Sequence, residues 1–78
     1  MGQKDLPLAP GKDHVRAFGR VGWSVARIRG SHHILEKDGS ESILTVPCHN
    51  SDMSRKLLAG LIKDAGMTEQ EYIDAFKG

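Results

Sequence analysis

The stretch that decides the fold is RGSHHILEKDGSESILTVP, residues 29–47. Two short runs rich in apolar residues, 32–37 and 42–46, flank the tripeptide Asp38-Gly39-Ser40. Because glycine accepts the positive φ that a tight reversal requires, this pattern predicts a β-hairpin. Pro47 ends the second run, since proline lacks the amide that would extend a ladder.

A further strand and a helix are predicted on the N-terminal side of this hairpin. Residues 23–29 interleave β-branched and aromatic side chains with polar ones, which is typical of a strand. The Gly30-Ser31 step then turns the chain, so the three strands form an antiparallel meander. Upstream, Asp13 offers an N-cap for a short helix that Gly19 weakens and Gly22 can end.

Two helices are predicted on the C-terminal side. Apolar residues recur at helical spacing over residues 57–65, and Gly66 is placed to end that helix. Thr68 and Glu71 have the spacing of a capping box that opens a last short helix. The predicted fold is therefore α+β, with a three-stranded antiparallel sheet covered by helices on one face and open on the other.

Length and composition predict one small domain. The chain has 78 residues, and its Pro- and Gly-containing start predicts a flexible leader over residues 1–11 before a single domain over residues 12–78. A single cysteine excludes an internal disulfide. No apolar run approaches the ~20 residues of a membrane helix, and no signal or transit peptide is evident, so a cytoplasmic location without membrane contact is expected.

Charge is distributed unevenly along the chain. The net charge is only +1, but residues 1–37 carry seven Lys or Arg against three acids, whereas residues 38–78 carry four against seven. This asymmetry is a modest indication that one face meets a polyanion. Two solvated surfaces of opposite sign would explain the same counts.

The histidines and the cysteine are candidates for a metal site, but their spacing argues against one. His32, His33, Cys48 and His49 are all ligand types that zinc accepts. Neighbouring strand residues point to opposite faces, so His32 and His33 cannot easily reach one ion, and no second cysteine supports them. No metal or cofactor is expected. The sequence also lacks the G-x-S-x-G pattern of a serine nucleophile and a phosphate-binding glycine loop.

A histidine beside basic residues suits acid/base chemistry on a substrate that brings its own nucleophile. RNA is such a substrate, because its 2′-hydroxyl attacks the adjacent phosphodiester once a base takes the proton, or an acid protonates the leaving 5′-oxygen. Imidazole ordinarily titrates at about 6.5, which suits this role. Arg27, Arg29 and Lys37 can stabilise the charge on phosphorus. The alternative is that one histidine faces solvent and the other only makes a cross-strand contact.

Four motifs follow one another along the chain: GWSVARIRGSHHIL at 22–35, an Asp-Gly turn, TVPCH at 45–49, and a helix ending in DAGMTEQEY at 64–72. In combination they resemble the HicA family of toxin mRNA interferases. The likeness runs from about Asp13 to Phe76. It implies a fold like a double-stranded-RNA-binding domain, α-β-β-β-α, with metal-independent cleavage of mRNA and neutralisation by a HicB-type antitoxin.

The resemblance also implies roles for individual residues. The catalytic histidine follows Gly-Ser and corresponds to His32, while His33 is an auxiliary or alternative, because in some relatives the only histidine aligns there. Many relatives have Gly-Thr and then a basic residue at the start of the main helix, where this chain has Lys56-Leu57 and then Ala59-Gly60. That contact is therefore lost, or moved to Arg55, Lys56 or Lys63, and for Lys63 an ordinary solvated charge is preferred. Residues expected to contact RNA are Arg27, Arg29, Gly30, Ser31, Lys37, His49 and Lys56.

Simpler roles compete with several of these. A plain turn fits Ser31, a turn or capping role fits His49, and a surface position is expected for His14. At the level of the whole protein, a non-catalytic RNA-binding module and a module that binds only protein are the alternatives to a ribonuclease.

Overall fold

A computed structural model describes residues 5–78 and has, in that part of the chain, the element order α-β-β-β-α-α. The elements are α1 (Gly11–Gly19), β1 (Ser24–Arg29), β2 (His32–Glu36), β3 (Leu44–Pro47), α2 (Arg55–Asp64) and α3 (Glu69–Lys77). This order confirms the predicted α+β fold and agrees with the description as similar to a double-stranded-RNA-binding domain. No helix among the described residues is long and apolar enough to cross a membrane.

The three strands form an antiparallel meander in the order β1-β2-β3, as predicted. Gly30 turns the chain between β1 and β2 with φ of 58°, and Gly39 lies between β2 and β3 with φ of 83°. Both values lie in the left-handed region that favours glycine. The second reversal is longer than expected, because β3 begins at Leu44 and the Ser40 hydroxyl accepts a hydrogen bond from the Ser42 amide inside the loop.

A register shift in β1 decides which side chains share a face. Val25 pairs with Leu35, but the next pair is Arg27 with Ile34, so Ala26 has no partner and forms a bulge. If Ala26 paired with Ile34 in a regular ladder, strand alternation would place Arg27 on the same face as Leu35. With the bulge, Arg27 lies on the opposite face.

The helices cover only one face of the sheet. Leu35, Leu44 and Val46 project from that face and are fully buried. They join a core completed by helical side chains from all three helices, among them Phe18, Leu58, Ile62 and Tyr72. The opposite face carries Arg27, Arg29, His32, Ile34 and Thr45, and we call it the open face.

Both C-terminal helices begin with side-chain caps. The Ser54 hydroxyl accepts a hydrogen bond from the Leu57 amide at the start of α2. At α3 the predicted capping box is confirmed, because the Thr68 hydroxyl accepts from the Glu71 amide and the Glu71 carboxylate accepts from the Thr68 amide, at 3.1 and 2.8 Å. Such caps typically stabilise a helix by about 1 kcal/mol.

The start of the chain differs from expectation in its packing. Leu6 and Ala9 are buried in the core. Their carbonyls accept hydrogen bonds from Arg55 Nε at 2.7 Å and from the Met53 amide at 2.9 Å. The flexible leader over residues 1–11 and the boundary at 12 stay predictions, and residues 1–4 lie outside the described part of the chain.

The predicted N-cap of α1 is wrong. The helix begins two residues earlier than Asp13, after Pro10, and Asp13 lies in its first turn, 3.8 Å from Arg16. The first residue is Gly11, where a Cβ would overlap the Pro47 carbonyl. Glycine therefore lets α1 start directly against the end of β3.

The predicted surface position of His14 is also wrong. His14 is fully buried, and its Nδ1 lies 2.6 Å from the Tyr72 hydroxyl on α3. Burial lowers the pKa of His14 below its usual value and raises the pKa of Tyr72. Nε2 of His14 has no hydrogen-bond partner among the described residues, although the Ala9 backbone lies close enough to favour the protonated ring. The neutral His14–Tyr72 pair thus ties α1 to α3.

Candidate active site

His32 lies at the first position of β2 on the open face. It is exposed, and it pairs in register with Arg29 of β1 on one side and with Pro47 of β3 on the other. The preceding turn holds it there, because the Ser31 carbonyl accepts a hydrogen bond of 2.6 Å from the Cys48 amide. The ring thus projects from a backbone that is paired with β1 on one side and with β3 on the other.

His33 lies on the opposite face of the sheet. It pairs with Ile28 and with the buried Val46, and its Nδ1 is buried without a hydrogen-bond partner among the described residues. Sequence alone left the core face of β2 ambiguous, because Ile34 and Leu35 are both apolar. The burial of Leu35 resolves that ambiguity and puts only one of the adjacent histidines on the open face.

Two arginines accompany His32. Arg27 and Arg29 project from β1 onto the open face, where they line a shallow cavity of about 250 Å³ together with Ile34 and Ile43. Neither guanidinium forms an ion pair with a described residue. Both remain free to bind an anion next to His32. Ile43, which is 54% exposed, gives the cavity an apolar wall.

The structure does not bring Lys37 or Lys56 to His32. Lys37 follows the far end of β2, about 16 Å away along an extended strand, and lines a different cavity of about 440 Å³ with α3 residues such as Glu71. Lys56 is exposed in the first turn of α2, in the helical layer. Their expected contact with RNA stays a prediction without geometric support.

Gly30 and Ser31 form the turn from which β2 starts. A Cβ at Gly30 would meet no atom within 4 Å, so glycine is needed there for its positive φ and the backbone is open on that side. For Ser31 the structure shows a backbone role, the hydrogen bond to the Cys48 amide.

His49 lies closer to His32 than sequence reasoning anticipated. The two ring centroids are 6.5 Å apart with the ring planes at 74°. His49 is exposed, and it lines a cavity of about 210 Å³ with Pro10, Lys12 and Asn50. The signal available in the sequence was antiparallel pairing, since the end of β3 must lie beside the start of β2 in a meander.

The neighbouring groups favour proton transfer over other chemistry. Burial raises the pKa of the Cys48 thiol, which keeps it protonated and a weak nucleophile. No group of three or more His, Cys, Asp or Glu side chains among residues 5–78 is arranged to hold a metal ion. The open face therefore offers exposed imidazoles and unpaired guanidinium groups.

Comparison with protein-family models identifies a match. A family model described as "HicA toxin of bacterial toxin-antitoxin" matches residues 11–67, which span α1 to the end of α2. A search of curated proteins finds no significant match. The matched region contains every residue of the open face described above.

Proposed function

This chain belongs to the HicA family of bacterial toxins, and from that premise and the geometry of the open face we propose that it is an endoribonuclease that cleaves mRNA. The catalytic residue is His32, which acts as a general acid or base. A toxin of this kind has an antitoxin partner, and here we propose one of the HicB type.

The observation that carries this proposal is the convergence of His32 and two free arginines on the open face. Arg29 pairs with His32 in register, and the bulge at Ala26 turns Arg27 to the same side. A phosphodiester bound by these guanidinium groups would lie within reach of the imidazole. A ring packed inside the protein, as His33 partly is, would not have this access.

The chemistry needs no group beyond the substrate and the protein. The 2′-hydroxyl of RNA attacks the adjacent phosphorus, and His32 transfers one of the protons that this displacement moves. Arg27 and Arg29 stabilise the negative charge that accumulates on the non-bridging oxygens. The products are a 2′,3′-cyclic phosphate and a 5′-hydroxyl. An RNA strand with an unpaired base suits the shallow cavity beside Ile34 and Ile43.

The antitoxin silences the enzyme by covering the same groups. An acidic surface is complementary to Arg27 and Arg29, and docking there would bury His32. A complex in which His32 stays open to solvent would contradict direct occlusion.

The test is RNA cleavage by purified protein in excess chelator. We expect wild type to cleave and leave cyclic phosphate ends, and His32→Ala to be slower by about 10²–10⁴-fold, the usual contribution of a positioned acid or base. His33→Ala should keep cleaving, because its side chain lies on the other face. Lys63→Ala, which removes an exposed charge from α2, is the control.

Three outcomes separate the alternatives. Loss of activity in His33→Ala but not in His32→Ala would assign catalysis to His33. RNA binding that weakens with salt, without cleavage by wild type, would indicate a non-catalytic RNA-binding module. Absence of both activities at low salt would leave a module that binds only protein.

A further inference from the structure

We infer that His32 and His49 divide the two proton transfers of the cleavage reaction between them. One imidazole accepts the proton of the 2′-hydroxyl, and the other donates a proton to the 5′-oxygen that leaves. This inference rests on the proposed endoribonuclease function and makes His49, expected from sequence to contact RNA, a second catalytic residue.

The distance between the rings carries the inference. A centroid separation of 6.5 Å is too long for a hydrogen bond between the two rings, and neither forms a hydrogen bond with another described residue. Rings this close, and not bonded to each other, can each form a hydrogen bond of roughly 2.6–3.2 Å to a different oxygen of one phosphodiester that lies across both of them. A phosphodiester presents two such oxygens, the attacking 2′-oxygen and the leaving 5′-oxygen.

The sheet holds this separation. His32 pairs with Pro47 in register, and the Cys48 amide donates to the Ser31 carbonyl at 2.6 Å. Each histidine is therefore next in sequence to a residue of the same backbone hydrogen bond. Two catalytic groups on a bonded backbone keep their spacing better than groups on separate loops.

Cationic side chains from two different secondary-structure elements lie near His32 and His49. Arg29 of β1 lies beside His32, and Lys12 of α1 lines the same cavity as His49. Among the described residues, no carboxylate lines that cavity or the one formed by the arginines. A phosphate that contacts both rings would thus have a cation near each of them, which stabilises a pentacoordinate phosphorus. His33 cannot take the place of His49, because it lies on the other face of the sheet.

The step balances without any further reactant. The 2′-hydroxyl proton moves to the neutral imidazole of one histidine, and the 2′-oxygen bonds to phosphorus. The bond from phosphorus to the 5′-oxygen breaks, and the imidazolium of the other histidine donates its proton to that oxygen. Proton exchange with water then returns each histidine to its starting form.

The test uses the full chain and two versions of one RNA oligonucleotide whose cleavage site in wild type has been mapped. One version has the normal 5′-oxygen at the scissile bond, and the other has sulfur there. A thiolate leaves without protonation, since thiols ionise near pH 8.5. The variants are His32→Gln and His49→Gln, and Gln70→Ala, at an exposed position of α3, is the control.

We expect each histidine variant to cleave the oxygen substrate about 10²–10⁴-fold more slowly than wild type, while Gln70→Ala is unchanged. The sulfur substrate should restore most of the rate in one histidine variant only, the one that lacks the acid. RNA affinity, measured by fluorescence anisotropy, should be nearly the same for wild type and His49→Gln. Urea midpoints confirm that the variants are folded.

The contrary results are distinct. Full activity of His49→Gln on the oxygen substrate would overturn the inference and leave the proposed function standing. Rescue by sulfur in both variants or in neither would also overturn it, as would a loss of cleavage that matches a loss of binding. Failure of wild type to cleave either RNA would defeat the proposed function itself.

Discussion

Replacing Tyr72 with phenylalanine should destabilise the fold far more than the loss of one oxygen suggests. The Tyr72 hydroxyl is the only hydrogen-bond partner of His14 among the described side chains, at 2.6 Å from Nδ1, and both residues are fully buried. In Tyr72→Phe the ring still packs against Phe18 and Phe76, with centroids at 4.8 and 6.3 Å. What changes is that both nitrogens of a buried imidazole are then without a side-chain partner.

The magnitude follows from that unpaired nitrogen. Leaving a buried acceptor or donor unsatisfied costs about 1–3 kcal/mol, whereas replacing both partners by apolar groups is close to neutral. For a domain of this size each kcal/mol lowers Tm by roughly 4–8 °C. A central value of about 2 kcal/mol therefore corresponds to a Tm roughly 8–16 °C below that of wild type.

The assay is urea unfolding followed by the fluorescence of Trp23, the single tryptophan, which is buried in the core. Tyr72→Phe should cost far less in a His14→Leu background than in wild type, with a coupling energy of at least about 1 kcal/mol. A cost below about 0.5 kcal/mol for Tyr72→Phe, or simple additivity with His14→Leu, would refute the role given to this pair.

Two further predictions concern stability. Burial lowers the pKa of His14 in the folded chain, so the unfolded chain binds more protons as the pH falls. The free energy of unfolding should therefore keep its full value above pH 6.5, the ordinary pKa of histidine, and decline as the pH falls below it. Urea midpoints at neutral and mildly acidic pH measure this decline, and an equal decline in His14→Leu would assign it to other groups. Gly60→Ala should stabilise the chain by about 0.5–1 kcal/mol without changing RNA cleavage, because Gly60 lies exposed in α2 and a Cβ there meets no atom within 4 Å. A lower urea midpoint in this variant would count against that expectation.

Local patterns predicted most elements of this fold. The Asp38-Gly39 reversal and the Thr68–Glu71 capping box are decided by neighbouring residues, so their chemistry can be recognised without knowing the tertiary structure. The helix over residues 57–65 was equally clear, and its observed span is Arg55–Asp64. Its apolar stripe repeats at helical spacing over nearly three turns.

Long-range packing explains what the sequence did not predict. In α1 the buried positions are 11, 14, 17 and 18, a helical stripe in which His14 takes the place of an apolar residue. A polar residue in such a stripe needs a distant partner, here Tyr72, and no local pattern identifies it. The Leu6 carbonyl likewise finds its hydrogen-bond donor in Arg55, 49 residues away in sequence.

The candidate site was predictable in type but not in arrangement. Sequence reasoning selected His32, Arg27 and Arg29, which the structure brings to one face, and also Lys37, which it places at the far end of the sheet. Choosing between His32 and His33 required the core face of β2, and the approach of His49 required the register of β3. Both depend on the assembled sheet.

The bulge at Ala26 decides which face of the sheet carries the charged side chains of β1. If Ala26 instead paired with Ile34 in a regular ladder, the two sides of the rest of β1 would be exchanged, with Arg27 and Arg29 turned inward against the helices and Ile28 outward, although every charge would still be present. Two relatives with equal numbers of arginines can thus differ completely in their attraction for a polyanion. In this strand the backbone conformation at one small residue matters as much as the identity of the charged residues that follow it.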